Sequence, residues 1–500
     1  MDTKKDLTRL RKKLDELLHL RSALALASWD QEVNMPPAAA ESRAAMTAYL
    51  SGEYHTKLLA LDENGLLTGL DAARRNHTLK PRGAAMIREL MRDYTLAAKL
   101  PMAFVIEFAE LTSRAQHIWA EARSKNDFPL FRPWLEKIVK LSRIKAELLG
   151  GNRPYDTLID TFEPGMTSEE LSITFVELRD ALVTLVGKIR ANKTKIPKGP
   201  TGTSPIADQK SFLDFINLKM GFDAQAGRLD PSTHPFTNGA HPTDVRITTR
   251  YNEKDLWTSV GSDIHELGHA LYEQGLPVKE TGTPLAEAVS LGVHESQSRF
   301  WENMVGRNKN TWEFLYPEMR KRFPAFRKYG LDDWYRHLHA VTPTLIRTES
   351  DEVTYNLHII IRFEIEKELI EGSIGIKDLP EIWNQKVRDY LGIRVPDDAH
   401  GVLQDVHWSG GMIGYFPTYT LGNLYSAQLH EAIRKDMPDF DKKLAKGNFL
   451  PIRDWLREKI HRHGRFYSAP ELMRRATGSS LSVAPFAAYL TEKYSDLYDL

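Results

Sequence analysis

Two histidines four residues apart, with a glutamate directly after the first, are the residues of this chain best suited to chemistry: His265-Glu266-Leu267-Gly268-His269. On a helix, residues i and i+4 share a face, so the two imidazoles stand one above the other. Held that way, two neutral rings take adjacent corners of a zinc tetrahedron. Glu266 points to one side. There it is close to the ion without binding it, where a general base must stand to take a proton from activated water. The H-E-x-x-H pattern is the metalloprotease signature.

A catalytic tetrahedron needs a third protein ligand and one open position. The run Val293-His294-Glu295-Ser296-Gln297 offers Glu295, 26 residues after His269. Pro284 and Leu285-Ala286-Glu287-Ala288-Val289 suggest a second helix that carries it back opposite the imidazoles. His294 is the rival ligand, about 100° away around that helix. A helical binding protein with a structural zinc is the alternative from another class. Such a site is closed by a fourth ligand, commonly Cys. The chain has no cysteine.

These side chains need a scaffold. The 500 residues, 42% hydrophobic and 27% charged, suffice for a large globular core. The formal net charge of zero supplies no field to gather nucleic acid or an anionic membrane, so neither is expected as a partner. No apolar run approaches the roughly 18 residues of a membrane span. Without cysteine there is no disulfide framework, and a metal site must be built from His and carboxylate. The basic start (Lys4 to Lys13) is interrupted by Asp6 and followed by too short an apolar stretch for a signal peptide. Leu7, Leu10, Leu14 and Leu17 instead predict an amphipathic first helix. A cytoplasmic protein is expected.

A single domain is predicted, with a helical scaffold and lid half over about 1–205 and a half carrying the metal site over about 206–500. Ser28-Trp29-Asp30-Gln31 to Pro37 reads as a turn with a double proline. Thr167-Ser168-Glu169-Glu170 is a capping box opening a helix striped by Leu171, Phe175, Leu178, Leu182 and Leu185. Lys195 to Pro205, rich in Pro and Gly, reads as a surface loop. Asp244 to Tyr251 alternates and is rich in β-branched residues, which predicts a strand. A strand edge there would pair with an extended peptide.

Downstream, Arg347 precedes a helix marked by Val353, Leu357, Ile361 and Leu369. A guanidinium there binds a free carboxylate bidentately; the plainer reading is an ion pair with Asp351 or Glu352. Gly401 to Gly411 is a polar loop holding Gln404, Asp405, His407 and Trp408, followed by Tyr415 and Tyr419. Such a loop suits a wall that stabilises an oxyanion.

Together the motifs resemble the M32 metallocarboxypeptidases of the carboxypeptidase Taq type. The resemblance rests on Asp244-Val245-Arg246-Ile247-Thr248, His265-Glu266-Leu267-Gly268-His269, His294-Glu295-Ser296-Gln297, Ile346-Arg347 through Asp351, and Gly401 through Trp408. The Trp29-Asp30-Gln31 and Glu163-Pro164-Gly165-Met166 segments fit it too, and His234-Pro235-Phe236 looks like the short motif that varies between branches of the family.

The resemblance implies a mainly α, two-lobed peptidase fold around a deep groove, similar to neurolysin, with a small β-sheet beside the HExxH helix. It implies homodimers that remove single residues from peptide C-termini with broad specificity, poorly when the last is proline. It implies zinc, with cobalt able to substitute, bound by His265, His269 and Glu295, and Glu266 as base. Arg347 would hold the substrate carboxylate, with Arg246 as second choice, and His234 would lie at the substrate. Tyr419, with His407 nearby, would stabilise the oxyanion, with Tyr415 as second choice. The nearest rival chemistry is an oligoendopeptidase or a dipeptidyl carboxypeptidase. Asp351 and Asp405 are candidates to orient the metal-binding histidines.

Overall fold

The apolar stripes of the sequence become a mainly helical protein with a small three-stranded sheet. The structure, a computed structural model, describes residues 3–192, 194, 196, 199 and 202–500. The expected loop from Lys195 to Pro205 therefore lies partly outside the described residues.

The first helix, Thr3–Val33, buries Leu10, Leu14 and Leu17. They pack with Leu61, Leu66, Leu67, Leu70, Ile87, Leu90 and Leu285 in a cluster of their own. The larger core gathers side chains from Ala115 to Tyr498 and includes the helices on both sides of the metal motif. Ser28 to Val33, expected as a turn, is the end of the first helix. Helix propensity continues until Pro36 and Pro37, and the Asp30 carbonyl accepts from both Asn34 and Met35 as the chain leaves. Trp29 is thereby buried, with the Arg246 and Arg228 guanidiniums 4.3 and 5.1 Å from its ring centre. The capping box forms as predicted. Thr167 accepts from Glu170 N at 3.2 Å, and Glu170 accepts from Thr167 N at 3.3 Å.

The sheet comprises β1 (Gly227–Pro231), β2 (Thr237–His241) and β3 (Asp244–Thr249) in the order β1-β3-β2. β1 runs parallel to β3, with Gly227 opposite Val245; β2 is antiparallel, with Thr237 opposite Ile247. The predicted strand is thus the central one, and both its edges are taken. The edge nearest the metal helix belongs to β2, whose Thr237 donates to the carbonyl of Glu266 at 2.9 Å. The β2 side is itself partly covered by the first helix: Asn238 donates to the Ala25 carbonyl, and Ser22 to that of Ala240. Val245 and Ile247 are fully buried in the larger core.

The metal helix, Leu256–Glu273, starts at Asp255, whose carboxylate accepts from Trp257 N at 3.0 Å. Val260, Ile264, Leu267 and Leu271 recur at helical spacing and are fully buried. The helix carrying Glu295 is shorter than expected, Leu291–Arg299. Leu285 to Val289 is not its first turns. Pro284–Ala286 forms a single 3₁₀ turn, and the α-helix begins after Ser290, which accepts from Val293 N at 3.1 Å. The buried Glu163 carboxyl accepts a further bond from Gly292 N at 2.9 Å, satisfying another amide of the first turn.

The two helices approach so closely that a Cβ on Gly268 would lie 2.6 Å from Ser298 Cα. A Cβ on Gly422, in the helix Pro417–Asp436, would lie 2.7 Å from Glu295 Cβ. Neither glycine has a positive φ; their use here is lack of bulk.

Candidate metal centre and active site

Those close approaches bring three donors together. His265, His269 and Glu295 present ligand atoms that all lie within 4.8 Å of one another. The Nε2 atoms of His265 and His269 are 3.8 and 3.4 Å from Glu295 Oε2. A tetrahedral zinc with ligand bonds near 2.0–2.1 Å separates its ligands by about 3.3 Å, so the donors fit such an ion. Among the described residues this group has three members, which leaves the fourth position open, as in catalytic sites. His294 takes no part: its ring stacks on that of His269 at 4.4 Å, and its Nε2 meets Glu273 Oε1 at 2.9 Å.

The protonation states of His269 and Glu295 suit metal binding. Burial, with His294 next to it, lowers His269 to about 3, so its imidazole is neutral. Burial alone would raise the Glu295 carboxyl, but Arg299 and His265 outweigh it and hold it well below the usual range. Arg299 Nε donates to Glu295 at 2.7 Å and its Nη1 to Glu302 at 3.1 Å.

Glu302 is the orienting partner that the sequence reading missed. Its Oε2 lies 2.8 Å from His265 Nδ1. A carboxylate held to about 2 despite burial, by Arg299 and His265, can only accept. Nδ1 therefore carries a proton, and Nε2 is the nitrogen that faces Glu295 and the open position. Asp351 and Asp405 do not orient the histidines. Asp351 caps Val353 and Thr354 and accepts from Thr342 N. Asp405 is bound to two arginines. The spacing of His265 and Glu302 gives no local pattern, because Glu302 belongs to a different element: a π-helical segment, Phe300–Gly306, that follows the Glu295 helix. A π-turn advances side chains differently from an α-turn and re-aims them here.

Glu266 stands beside the trio, buried, with its Oε2 accepting from Thr237 Oγ1 at 2.7 Å. Burial raises its pKa, offset in part by His265 and the Thr237 hydroxyl. A carboxylate moved toward neutrality takes and returns protons readily.

A second cluster gathers Arg347, Tyr415, Tyr419 and His407. His407 Nε2 is 3.3 Å from the Tyr419 hydroxyl, and the Tyr415 and Tyr419 rings are 5.3 Å apart. Burial raises both phenols, Tyr415 to about 12 and Tyr419 well above the usual value, with the Glu295 carboxylate among the contributors. Both hydroxyls therefore remain protonated donors. Burial, with Arg347 and Arg362 nearby, lowers His407 to about 4 even though Asp405 opposes this, so it is neutral. Arg347 is 6% exposed and is ion-paired, with Asp405 rather than Asp351 or Glu352. Its Nη2 lies 3.0 Å from Asp405 Oδ1, and its Nη1 donates to the Tyr355 hydroxyl at 3.1 Å. Arg362 shares the same carboxylate at 2.5 Å. Two guanidiniums against one carboxylate leave one buried positive charge. Glu366, one turn on, binds Tyr155, Trp408 and Gly414 N instead, and burial raises it to about 7.

Arg246 and His234 are not brought to either cluster. Arg246 pairs with Asp244 at 2.9 Å and covers Trp29. His234 lies exposed in the bend between β1 and β2.

Residues 9–494 match the family described as carboxypeptidase Taq (M32) metallopeptidase. The chain belongs to the M32 family. It is 41% identical to thermostable carboxypeptidase 1 of Thermus thermophilus over 497 residues, 97% of each chain. It is 40% identical to carboxypeptidase 1 of Bacillus subtilis, again over 97% of each. Its fold superposes on the M32 carboxypeptidase from Deinococcus radiodurans R1 with a TM-score of 0.95 at 38% identity, covering 99% of this chain and 100% of that one. This M32 protein is a metallocarboxypeptidase acting on peptides, with His265, His269 and Glu295 as its candidate metal site. Among the described residues no helix is long and apolar enough to cross a membrane.

Proposed function

We propose that this M32 enzyme releases single C-terminal residues from peptides with broad specificity, poorly from C-terminal proline, using zinc held by His265, His269 and Glu295. Cobalt fits the same His₂Glu donor set. When bound, the ion supplies Lewis acidity at the scissile carbonyl and lowers the pKa of water from about 15.7 towards about 7.

The chain's own groups do the rest. Glu266, steadied by Thr237, takes the proton of the attacking water and returns it to the leaving amine. Tyr419 donates to the developing oxyanion, with Tyr415 beside it and His407 fixing its hydroxyl. Arg347 holds the terminal carboxylate. The observation that carries this reading is the unbalanced guanidinium in the Arg347–Asp405–Arg362 group. A buried positive charge without its own anion suits a carboxylate guest, and an internal peptide bond offers none. The same feature disfavours the oligoendopeptidase alternative. We propose further that the enzyme works as a homodimer in the cytoplasm.

Paired variants test the roles. Glu266→Gln is expected to keep stoichiometric metal and lose turnover by 10²-fold or more, the scale of general-base catalysis. His269→Ala is expected to lose the metal. Near-normal turnover by Glu266→Gln would remove the base from the mechanism.

A further inference from the structure

The two clusters are joined by one side chain. Tyr355, the first residue of the helix Tyr355–Glu371, is 6% exposed. The Arg299 guanidinium lies over its ring, 4.4 Å from the centroid. Its hydroxyl accepts from Arg347 Nη1 at 3.1 Å. Tyr419 closes the third side edge-to-face, with ring centres 6.4 Å apart at 87°. Arg299 is itself tied to Glu295 and Glu302, and Arg347 to Asp405.

We infer that Tyr355 is the positioning residue that sets the span between the terminal-carboxylate anchor and the metal site, and so places the cut one residue from the C-terminus. This rests on the proposed role of Arg347. The chain of contacts runs Glu295, Arg299, Tyr355, Arg347. Each guanidinium is planar and held on two sides, and a tyrosine ring has only two torsions, so no link stretches freely. A flexible side chain at 355 would let the guanidinium drift relative to Glu295. Reaction rates respond steeply to such misplacement, about 10²-fold for an ångström.

Tyr355 also explains how a positive anchor and a metal ligand stay independent in charge. Arg299 is paired with Glu295 and Glu302, while Arg347 shares Asp405 with Arg362. The phenol ring separates the two guanidiniums and offers its face to one and its oxygen to the other.

The test uses metal-loaded protein and one peptide in two forms, with a free C-terminal carboxylate and with a C-terminal amide. Tyr355→Phe keeps the ring against Arg299 and removes only the bond to Arg347. A hydrogen bond to a charged group is worth about tenfold or more. The free-acid KM is therefore expected to rise about tenfold while the amide KM and the metal affinity stay within about twofold. Dipeptide release is expected to appear beside single residues. Tyr355→Leu, which removes the ring as well, is expected to weaken metal binding too. An unchanged free-acid KM in Tyr355→Phe, or equal losses on acid and amide, would overturn the inference and leave Tyr355 as packing. Arg347→Gln separates the two readings. If it leaves the free-acid preference intact, the anchor itself is wrong; if it abolishes the preference while Tyr355→Phe changes nothing, only the role of Tyr355 fails.

Discussion

Removing the Glu302 carboxylate is the sharpest perturbation of the metal centre that leaves every ligand in place. Its bond to His265 Nδ1 is 2.8 Å, its side chain is 14% exposed, and its charge is matched by Arg299 at 3.1 Å. A charge-assisted bond in such a setting contributes about 1.5–3 kcal/mol. Loss of an orienting partner of this kind lowers metal affinity by roughly 10–100-fold, or about 1.4–2.7 kcal/mol, and the two ranges agree. Glu302→Gln keeps an amide oxygen to accept from Nδ1 and belongs at the lower end. Glu302→Ala frees the His265 tautomer and leaves Arg299 with Glu295 alone, so it belongs at the upper end. Zinc affinity is measured on apo protein by competition with a chromophoric chelator, with thermal unfolding of the apo form as the control for folding. An alanine variant that folds and binds zinc as tightly as the parent would refute the claim that Glu302 sets the ring.

Three further outcomes are expected. Gly422→Ala is expected to displace Glu295 and weaken metal binding at least tenfold by the same chelator assay, because the new methyl group meets the ligand's own side chain. Asp405→Asn leaves two buried guanidiniums without their anion and is expected to cost about 3–5 kcal/mol in urea unfolding at neutral pH. The same variant changes the acid limb. The folded pKa of Asp405 lies well below its unfolded value of about 3.9, held down by Arg362 and Arg347 against burial. Its contribution is thus full above that value and is lost as pH falls below it. The parent should lose stability more steeply than Asp405→Asn between about pH 4 and pH 2 in urea titrations; parallel curves would contradict the assignment.

The metal trio was legible because its signal is local. His265 and His269 are one helical turn apart, and Glu295 sits in a motif of its own, so the fold had only to return one helix against another. Gly268 shows why that return is tight, and it lies inside the motif itself. The capping box at Thr167 and the stripe from Leu171 to Leu185 were legible for the same reason. Position within the sheet was not. Asp244 to Thr249 reads as a strand, but whether a strand is central depends on β1 and β2, whose own segments are short and rich in Gly, Asn and Pro. The supporting charges were the least visible. Glu302, Arg299, Arg362 and Tyr355 matter through partners on other elements, and a π-helical segment shifts Glu302 off the expected periodicity. Arg246 shows the same limit: beside the metal helix in sequence, it pairs with Asp244 and covers Trp29 in space.

The central claim is metal-dependent removal of one residue at a time from a free C-terminus. Mass spectrometry of a single synthetic peptide, sampled over time with zinc-loaded protein and with chelator, tests it directly. The account predicts a ladder shortened by one residue per step from the C-terminus, absent with chelator and strongly slowed when the peptide is amidated. Internal fragments, or a ladder in steps of two, would contradict it.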